Sequence, residues 1–565
     1  MPVLSNAEIA KTLLSLAQLL ALEKGNAFKV KAYRRAAKVI SGMGDSVEEL
    51  VRNDADLTAI PGIGKGISSA IREIVERGGA LEKLDELRSN AGQSAAALSD
   101  YPLLDPKRVE RIYKKLAIAS VDELKDRLER GEIGEKFGSY MESHVRQGLM
   151  PATEMLLYDA HRVVPGVEQF LLSKCGARRI EPVGEYRRRV EVIRELSFVV
   201  QIENFSHLIE KFQSFGGRTA LIQADPMTAL FQLASGVRLR IANSTDKLWG
   251  VSLLIGTGSE AHLAKLLELG YDVLSLTQGK VSLRTEEAAY RRLGLAPIPP
   301  ELRQGSDEIE RAASGSLPEL VTEADIRGEL HAHTTSSDGA QTIEQMAAAA
   351  HERGYEYLGI TDHSQSLTIA RGVSQDDLWA QIRYIDKLNE NSNVRILKSA
   401  EVDILADGSL DYPDSLLKEL DYTICSIHSR FSLNKREQTE RLMRAMDNRY
   451  CNIIGHATGR RLLKRAGYEL DLAKVLDHAK KSGCCFEINS SPERLDLSAE
   501  NARLAGAAGI RIAINTDAHS TREFDYIKGG VEQARRAGLD KDGVLNCLPW
   551  PRLQELLRCI SSDLI

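Results

Sequence analysis

The sequence predicts a multidomain chain: helical at its N-terminus, mixed α+β in the middle and α/β at its C-terminus. Three observations predict this. The 565 residues exceed what one domain holds. Helical periodicity runs through residues 6–90 and on through 91–165, with few β-branched runs. From about Arg178 short apolar runs appear between helices, and from Ile326 such runs alternate regularly with amphipathic stretches.

The 43% hydrophobic fraction supplies cores, and the 27% charged fraction supplies a solvated surface. With 74 Lys+Arg against 80 Asp+Glu the net charge is −6, so bulk charge does not attract nucleic acid. Any such contact must come from local basic patches or backbone amides. The seven cysteines are odd in number and form no CxxC pair, which reads as reduced thiols in a cytoplasmic protein. The first 25 residues read as an amphipathic helix rather than a signal peptide. No apolar run approaches the ~18–20 residues of a membrane span, so no membrane partner is expected.

The N-terminal helical pattern breaks at Pro61-Gly62-Ile63-Gly64, inside the run Leu57–Ile67. The glycines permit a tight turn, and the next helix begins with free N–H groups that suit a phosphate. Gly62, Gly64, Lys65 and Gly66 are therefore candidate DNA-backbone contacts. Upstream, Lys29, Lys31, Arg34 and Arg35 lie on a basic helix with interleaved aromatics, which next to this turn reads as a DNA patch. The bland alternatives are an ordinary Gly-rich connection and a solvated helix face. In the middle, Leu196–Ile202 and Val237–Ile241 read as strands. The stretch from Pro297 to Ser316, rich in Pro, Gly, Ser and charge, reads as a linker. Beyond it the strand-like runs are Tyr357–Ile360, Val394–Leu397, Tyr422–Ser426, Cys451–Ile454, Cys484–Ile488 and Ile510–Ile514.

Eight of the twelve histidines lie in residues 328–565, and six of them sit on or just after strand-like runs. His331 and His333 close a Gly-Glu-Leu-His-Ala-His run; two apart on an extended strand, they point the same way. Asp338 follows in the loop, His363 follows Tyr357–Ile360, and Glu401 follows the Val394 strand. His428, His456, and Asp517 with His519 follow the next runs. In a parallel α/β barrel all strand C-termini open on one face, so these nine donors would converge. Imidazole with carboxylate suits Mn²⁺, Zn²⁺ or Fe²⁺, and nine donors imply two or three ions. Any one of these histidines taken singly is more readily an ordinary loop residue. A closed structural zinc site would be thiol-rich and four-ligand. Arg460 and Arg494 follow two of the strands and are candidates for substrate phosphate.

The runs HAH (331–333), TDHS (361–364), AEVDIL (400–405), SIHS (426–429), IGHATGR (454–460) and NTDAHS (515–520) resemble the PHP (polymerase and histidinol phosphatase) domain, a distorted β/α barrel. The resemblance implies a first metal on His331, His333, Glu401 and Asp517. It implies a second on Glu401, His428 and His456, and a third on Asp338, His363 and His519.

Together with AYRRAA (32–37), IPGIGKGI (60–67), VGEYRRR (183–189), TGSEAH (257–262) and LGLAPIPPELRQG (293–305), the whole chain resembles the bacterial family X DNA polymerases. That implies a helix-hairpin-helix, lyase-like domain at 1–90, fingers-like helices at 91–165 and a palm at 166–241. A thumb-like domain at 242–316, a linker at 317–327 and the PHP domain at 328–565 complete it. The departures bear on function. Family palms use three carboxylates to hold two Mg²⁺ ions; Glu195, Ser197 and Arg238 occupy those positions here. The family's lyase lysine falls at Ala70, which has no amine for Schiff-base chemistry. The second helix-hairpin-helix, at 102–107, lacks both glycines. The resemblance therefore implies a metal-dependent 3′–5′ exonuclease acting on gapped, nicked or 3′ DNA ends in repair, with polymerisation lost. Abasic endonuclease and 3′-phosphatase activities are alternatives within that class. A small-molecule phosphatase and a gap-filling polymerase are the competing readings.

Overall fold

A computed structural model describes residues 4–23, 26–90, 101, 104, 106–118, 120–149, 153–278 and 281–562. The chain divides into two compact units, Met1–Ser314 with Leu463–Arg465, and Gly315–Leu462 with Ala466–Ile565.

The first unit opens with helices Asn6–Leu22, Ala27–Ser41, Val47–Arg52, Lys65–Glu76 and Glu82–Asn90. Ser5 starts the first through a capping box with Glu8, satisfying helix-end N–H groups that would otherwise lack partners. Their apolar stripes meet in a core that includes Ile9, Leu13, Ile40, Ile71 and Ile74. Helices Pro106–Leu116, Val121–Glu129, Glu132–Phe137 and Ser139–Leu149 form a separate core around Ile112, Leu124, Ile133 and Val145.

The strands of this unit are β1 (Met155–Leu156), β2 (Arg179–Val183), β3 (Val192–Ile193), β4 (Glu195–Gln201), β5 (Ala220–Ala224), β6 (Thr228–Gln232) and β7 (Arg238–Asn243). Five of them form one sheet in the order β2-β4-β7-β6-β5. Within it only β4 and β7 run parallel, with Glu195 opposite Arg238 and Ser197 opposite Arg240. Alternation sends Leu196, Phe198, Leu239 and Ile241 into the core and leaves Glu195, Ser197, Arg238 and Arg240 together on the other face.

The stretch expected as a linker, Pro297 to Ser316, is instead folded structure. It holds the turn Pro300–Leu302 and the helix Glu308–Ser314. Arg303 is buried and bonds Glu286 at 2.5 Å, and buried Glu308 accepts from His262 Nδ1 at 2.7 Å. Loop-like composition hid buried charges that satisfy one another.

The second unit carries β8 (Gly328–Ala332), β9 (Tyr357–Ile360), β10 (Arg395–Asp403), β11 (Tyr422–Ser426), β12 (Ile453–Ile454), β13 (Cys485–Asn489) and β14 (Ile512–Asn515). They follow one another in a single seven-stranded sheet, and every pair is parallel. Past the strand ends, the Ala518 N–H donates to His331 O at 3.2 Å and the His333 N–H to Ala518 O at 2.8 Å, so the first and last strands meet in a nearly closed barrel. Strand β10 runs six residues past Leu397, where the apolar run ends, so Glu401 lies within the strand and not after it. Before the barrel, Val321 donates to Leu539 O at 3.0 Å and is buried in the barrel core, so the segment expected as linker is partly packed. Among the described residues Cys175, Cys425, Cys451, Cys484, Cys485 and Cys547 are free thiols. No helix among the described residues is long and apolar enough to cross a membrane.

Candidate metal centre

All nine donors expected from the sequence lie at the C-terminal ends of the barrel strands. Strand β8 delivers His331 and His333, both buried. The β10 strand brings Glu401 to the middle of the group. Its Oε1 is 2.9 Å from His456 Nε2 and 3.4 Å from His428 Nε2, and its Oε2 is 2.8 Å from His363 Nδ1. Asp517 Oδ1 lies 3.0 Å from His333 Nε2 and 3.6 Å from His331 Nε2. Asp338 reaches in from the β8 loop, 3.3 Å from His519 Nε2 and 3.6 Å from His363 Nε2. His456 and Asp517 hold φ of 27° and 54°, left-handed conformations that are costly for non-glycine residues and that cluster at functional sites.

The donors gather into three groups: His333, Asp338, His363 and His519; His331, His333 and Asp517; and His363, Glu401 and His428. The first adds His333 to the set that resemblance implied for a third metal, and the second holds His331, His333 and Asp517 without the Glu401 implied beside them. The third takes His363 where resemblance implied His456, although His456 still touches Glu401.

The chemistry of this set fits divalent cations. His331 Nε2, His333 Nδ1 and His456 Nδ1 are buried without a hydrogen-bond partner. His363 Nδ1 and Glu401 Oε2 abut without hydrogen-bond alignment. Unpaired buried polar atoms are expensive and rare, and an ion among them removes the cost. Burial opposes ionisation of Glu401 and Asp517, yet the surrounding imidazoles hold both carboxyls well below the usual range. Burial, with His519 and His363 close by, pushes His333 down to about 4, which keeps a ring lone pair available.

Several residues at the centre are not among the donors expected from the sequence. Glu487 Oε1 lies 2.7 Å from His331 Nδ1, and Asp403 Oδ1 lies 2.7 Å from His428 Nδ1. Asn489 Nδ2 donates to Asp517 Oδ2 at 3.0 Å. The two candidate phosphate arginines differ in placement. Arg494 Nε stands 3.7 Å from Asp517 Oδ2. Arg460 Nε instead donates to the Arg494 carbonyl at 3.0 Å and bolsters that loop.

In the first unit, Gly62 takes φ 96° and Gly64 starts the helix Lys65–Glu76 with no side-chain cap. Gly62, Gly64, Lys65 and Gly66 are all exposed. Lys29, Lys31 and Arg35 are exposed as well, whereas Arg34 turns to Gln18 Oε1 at 3.3 Å. Ala70 is buried. Of the second hairpin's residues, 102, 103 and 105 lie outside those described, and Leu104 is buried. On the central sheet it is Arg240, not Arg238, that closes on Glu195. Its guanidinium meets the carboxylate in a bidentate pair at 2.7 and 3.1 Å, and Ser197 Oγ adds a bond at 3.2 Å. Glu185, in the VGEYRRR run, accepts the backbone N–H of Arg194 at 2.7 Å.

A helical unit with a Gly-rich turn, a mixed sheet and a parallel barrel ringed by candidate metal-ligand side chains make up a multidomain architecture of the DNA-processing enzyme class. Residues 4–80 match the helix-hairpin-helix domain family, and residues 329–491 match the PHP domain family. The chain is 32% identical to the DNA polymerase/3′-5′ exonuclease PolX of Bacillus subtilis (strain 168), over 98% of this chain and 99% of that protein. It is 32% identical to a probable phosphatase of Thermoanaerobacter sp. (strain X514), over 38% of this chain and 88% of that one. A probable phosphatase of Acetivibrio thermocellus is 31% identical, over 36% and 85%. The chain belongs to the PolX family, the family X DNA polymerases that carry a PHP domain.

Proposed function

We infer that this protein is a metal-dependent phosphodiesterase that processes DNA ends, acting as a 3′–5′ exonuclease at the barrel centre. The observation that carries the reading is the convergence of N/O donors at the open end of the barrel, eight of them in three close groups with His456 against Glu401, and several of them buried without partners. His331, His333, Asp338, His363, Glu401, His428, His456, Asp517 and His519 would hold two or three ions, with Mn²⁺, Zn²⁺ and Fe²⁺ all suited to the donor set. When bound, such ions make water a nucleophile near neutral pH and stabilise the oxygens of a phosphate displacement. Arg494, beside Asp517, presents a guanidinium that would orient the scissile phosphate. Lys29, Lys31, Arg35 and the open helix start at Gly64 would hold the DNA backbone. The name of the B. subtilis relative, which couples polymerase with 3′-5′ exonuclease, supports DNA as substrate.

Polymerisation does not carry over on this reading. Arg240 already occupies both oxygens of Glu195, and neither Ser197 nor Arg238 offers a carboxylate. Buried Ala70 likewise leaves no lyase amine. The phosphatases matching the barrel favour a second reading, hydrolysis of small phosphate esters. Abasic endonuclease and 3′-phosphatase activities would use the same centre.

The test is a 3′-recessed duplex with Mn²⁺, comparing wild type with His428→Ala and adding dNTPs in a parallel tube. Loss of 3′ nucleotides by wild type alone, without primer extension, is expected. Degradation by neither protein sinks the exonuclease and points to small esters. Extension in the dNTP tube overturns the loss of polymerisation.

A further inference from the structure

We propose that Glu487, which is outside the nine donors, is a positioning residue that sets two metal positions at once. It would act through the His331 side chain and the His456 backbone. The inference rests on the metal reading above. Glu487 lies on β13, fully buried. Its Oε1 accepts from His331 Nδ1 at 2.7 Å and from Asn515 Nδ2 at 2.9 Å. Its Oε2 accepts from the His456 backbone N–H at 2.8 Å and from Asn489 Nδ2 at 3.3 Å. Each oxygen thus serves two donors, and the carboxylate's accepting capacity is filled.

The consequence for His331 is a fixed tautomer. A neutral imidazole has one N–H. Placing it on Nδ1, toward Glu487, leaves the lone pair on Nε2. Nε2 is the buried atom that has no partner, 3.5 Å from Glu401 Oε2 and 3.6 Å from Asp517 Oδ1. For His456 the consequence is backbone placement. The residue holds φ 27°, and its N–H bond to Glu487 is one of the restraints that keep it there. From that position Nε2 reaches Glu401. Asn489 extends the reach to a third donor, because the same Nδ2 also bonds Asp517 Oδ2.

A glutamine cannot do this. With its carbonyl at the Oε1 place, its amide faces the His456 N–H and two donors meet. In the flipped orientation the amide donates to His331 Nδ1 and forces the proton onto Nε2, which blocks the ligand atom. One arm is lost in either case. Asp403 does a comparable job for a single ligand: Oδ1 takes His428 Nδ1, and Ser366 Oγ holds Oδ2 at 2.9 Å.

The experiment is titration of metal-stripped full-length protein with Mn²⁺, followed by electron paramagnetic resonance, and with Co²⁺, followed by visible absorption. Glu487→Gln should weaken binding about 10–100-fold at the positions using His331 and His456. The group Asp338, His363 and His519 should fill as in wild type, so the Co²⁺ spectrum loses only part of its bands. Asp403→Asn should weaken one position. Asn546→Ala, which removes buried bonds to the Ile514 and Gly328 backbone and touches neither Glu487 nor a donor, should titrate like wild type. A Glu487→Gln curve superimposable on wild type overturns the proposal, as does an equal loss in Asn546→Ala, which would mean generic packing. If Glu487→Gln does not fold, Glu487→Asp, which keeps the charge but shortens the reach, decides: weakening at the positions using His331 and His456 upholds the proposal, and a wild-type curve overturns it. Wild type binding no metal would instead sink the metal reading itself.

Discussion

At the scale of single residues, buried charges explain much that composition conceals. Glu308 is 2% exposed and faces His262 Nδ1. Burial opposes its ionisation, but the His262 and Gly305 N–H bonds outweigh burial and hold the carboxyl at about 2. That value lies below the ordinary 4.5 of the unfolded chain. The ion's contribution is therefore present above pH 4.5 and lost as pH falls toward 2, at about 1.4 kcal/mol per pH unit across that window. In total it is on the order of 3 kcal/mol. Hydrogen exchange of residues 259–314 at pH 7 and pH 3.5 checks this. Wild type should lose protection in acid, and Glu308→Gln should be less protected at pH 7 with a flatter response to acid. Equal pH dependence in both proteins would show that the carboxylate contributes nothing. The central sheet follows the same logic. Which arginine closes on Glu195 depends on register and reach, because Arg238 and Arg240 share a face. A linear pattern does not distinguish them.

At the scale of elements, the helix start at Gly64 yields a clear expectation. A Cβ added at Gly66 would meet nothing within 4 Å, so a side chain there leaves packing intact. Gly66→Asp places a carboxylate where a phosphate would dock, and it also suits the positive helix end. DNA affinity should fall about tenfold, equivalent to about 1.4 kcal/mol, while hydrolysis of a small phosphate ester is unchanged. Fluorescence anisotropy on a gapped duplex reads the first and a colorimetric ester the second. Unaltered affinity would remove this turn from the DNA interface. Elements of this kind were legible in the sequence wherever one physical rule dominates. Strands β9 and β11 coincide with their apolar runs to the residue, since parallel strands buried on both faces are unbroken apolar runs. The β10 strand was cut short because Lys398, Ser399, Glu401 and Asp403 interrupt its apolar run, although Glu401 and Asp403 serve the centre. The nine donors were legible because strand ends converge by topology. Glu487 was not, because a carboxylate behind a ligand has no characteristic spacing, and Asp403 stood in the AEVDIL run with no role marked for it.

At the scale of the whole molecule, a net charge of −6 means that the chain repels DNA on average and must grip it locally. Exposed candidate cations are Lys29, Lys31 and Arg35 on the second helix and Lys65 at the Gly-rich turn. Neutralising three or four phosphates gives a slope of log K against log salt of about −3 to −4 for duplex DNA, since each phosphate contributes about −0.9. On the proposed reading that grip does not involve the barrel donors. Chelation should therefore abolish hydrolysis and leave both the affinity and the salt slope of full-length protein unchanged, with activity returning on Mn²⁺ addition. Anisotropy titrations across a salt series, with and without chelator, measure both terms on one sample. A slope steeper than about −6 would require a second cationic DNA surface. Affinity that vanishes with the metal would mean that the hydrolytic centre itself holds the DNA, and that the helix-hairpin-helix unit is not what selects the substrate.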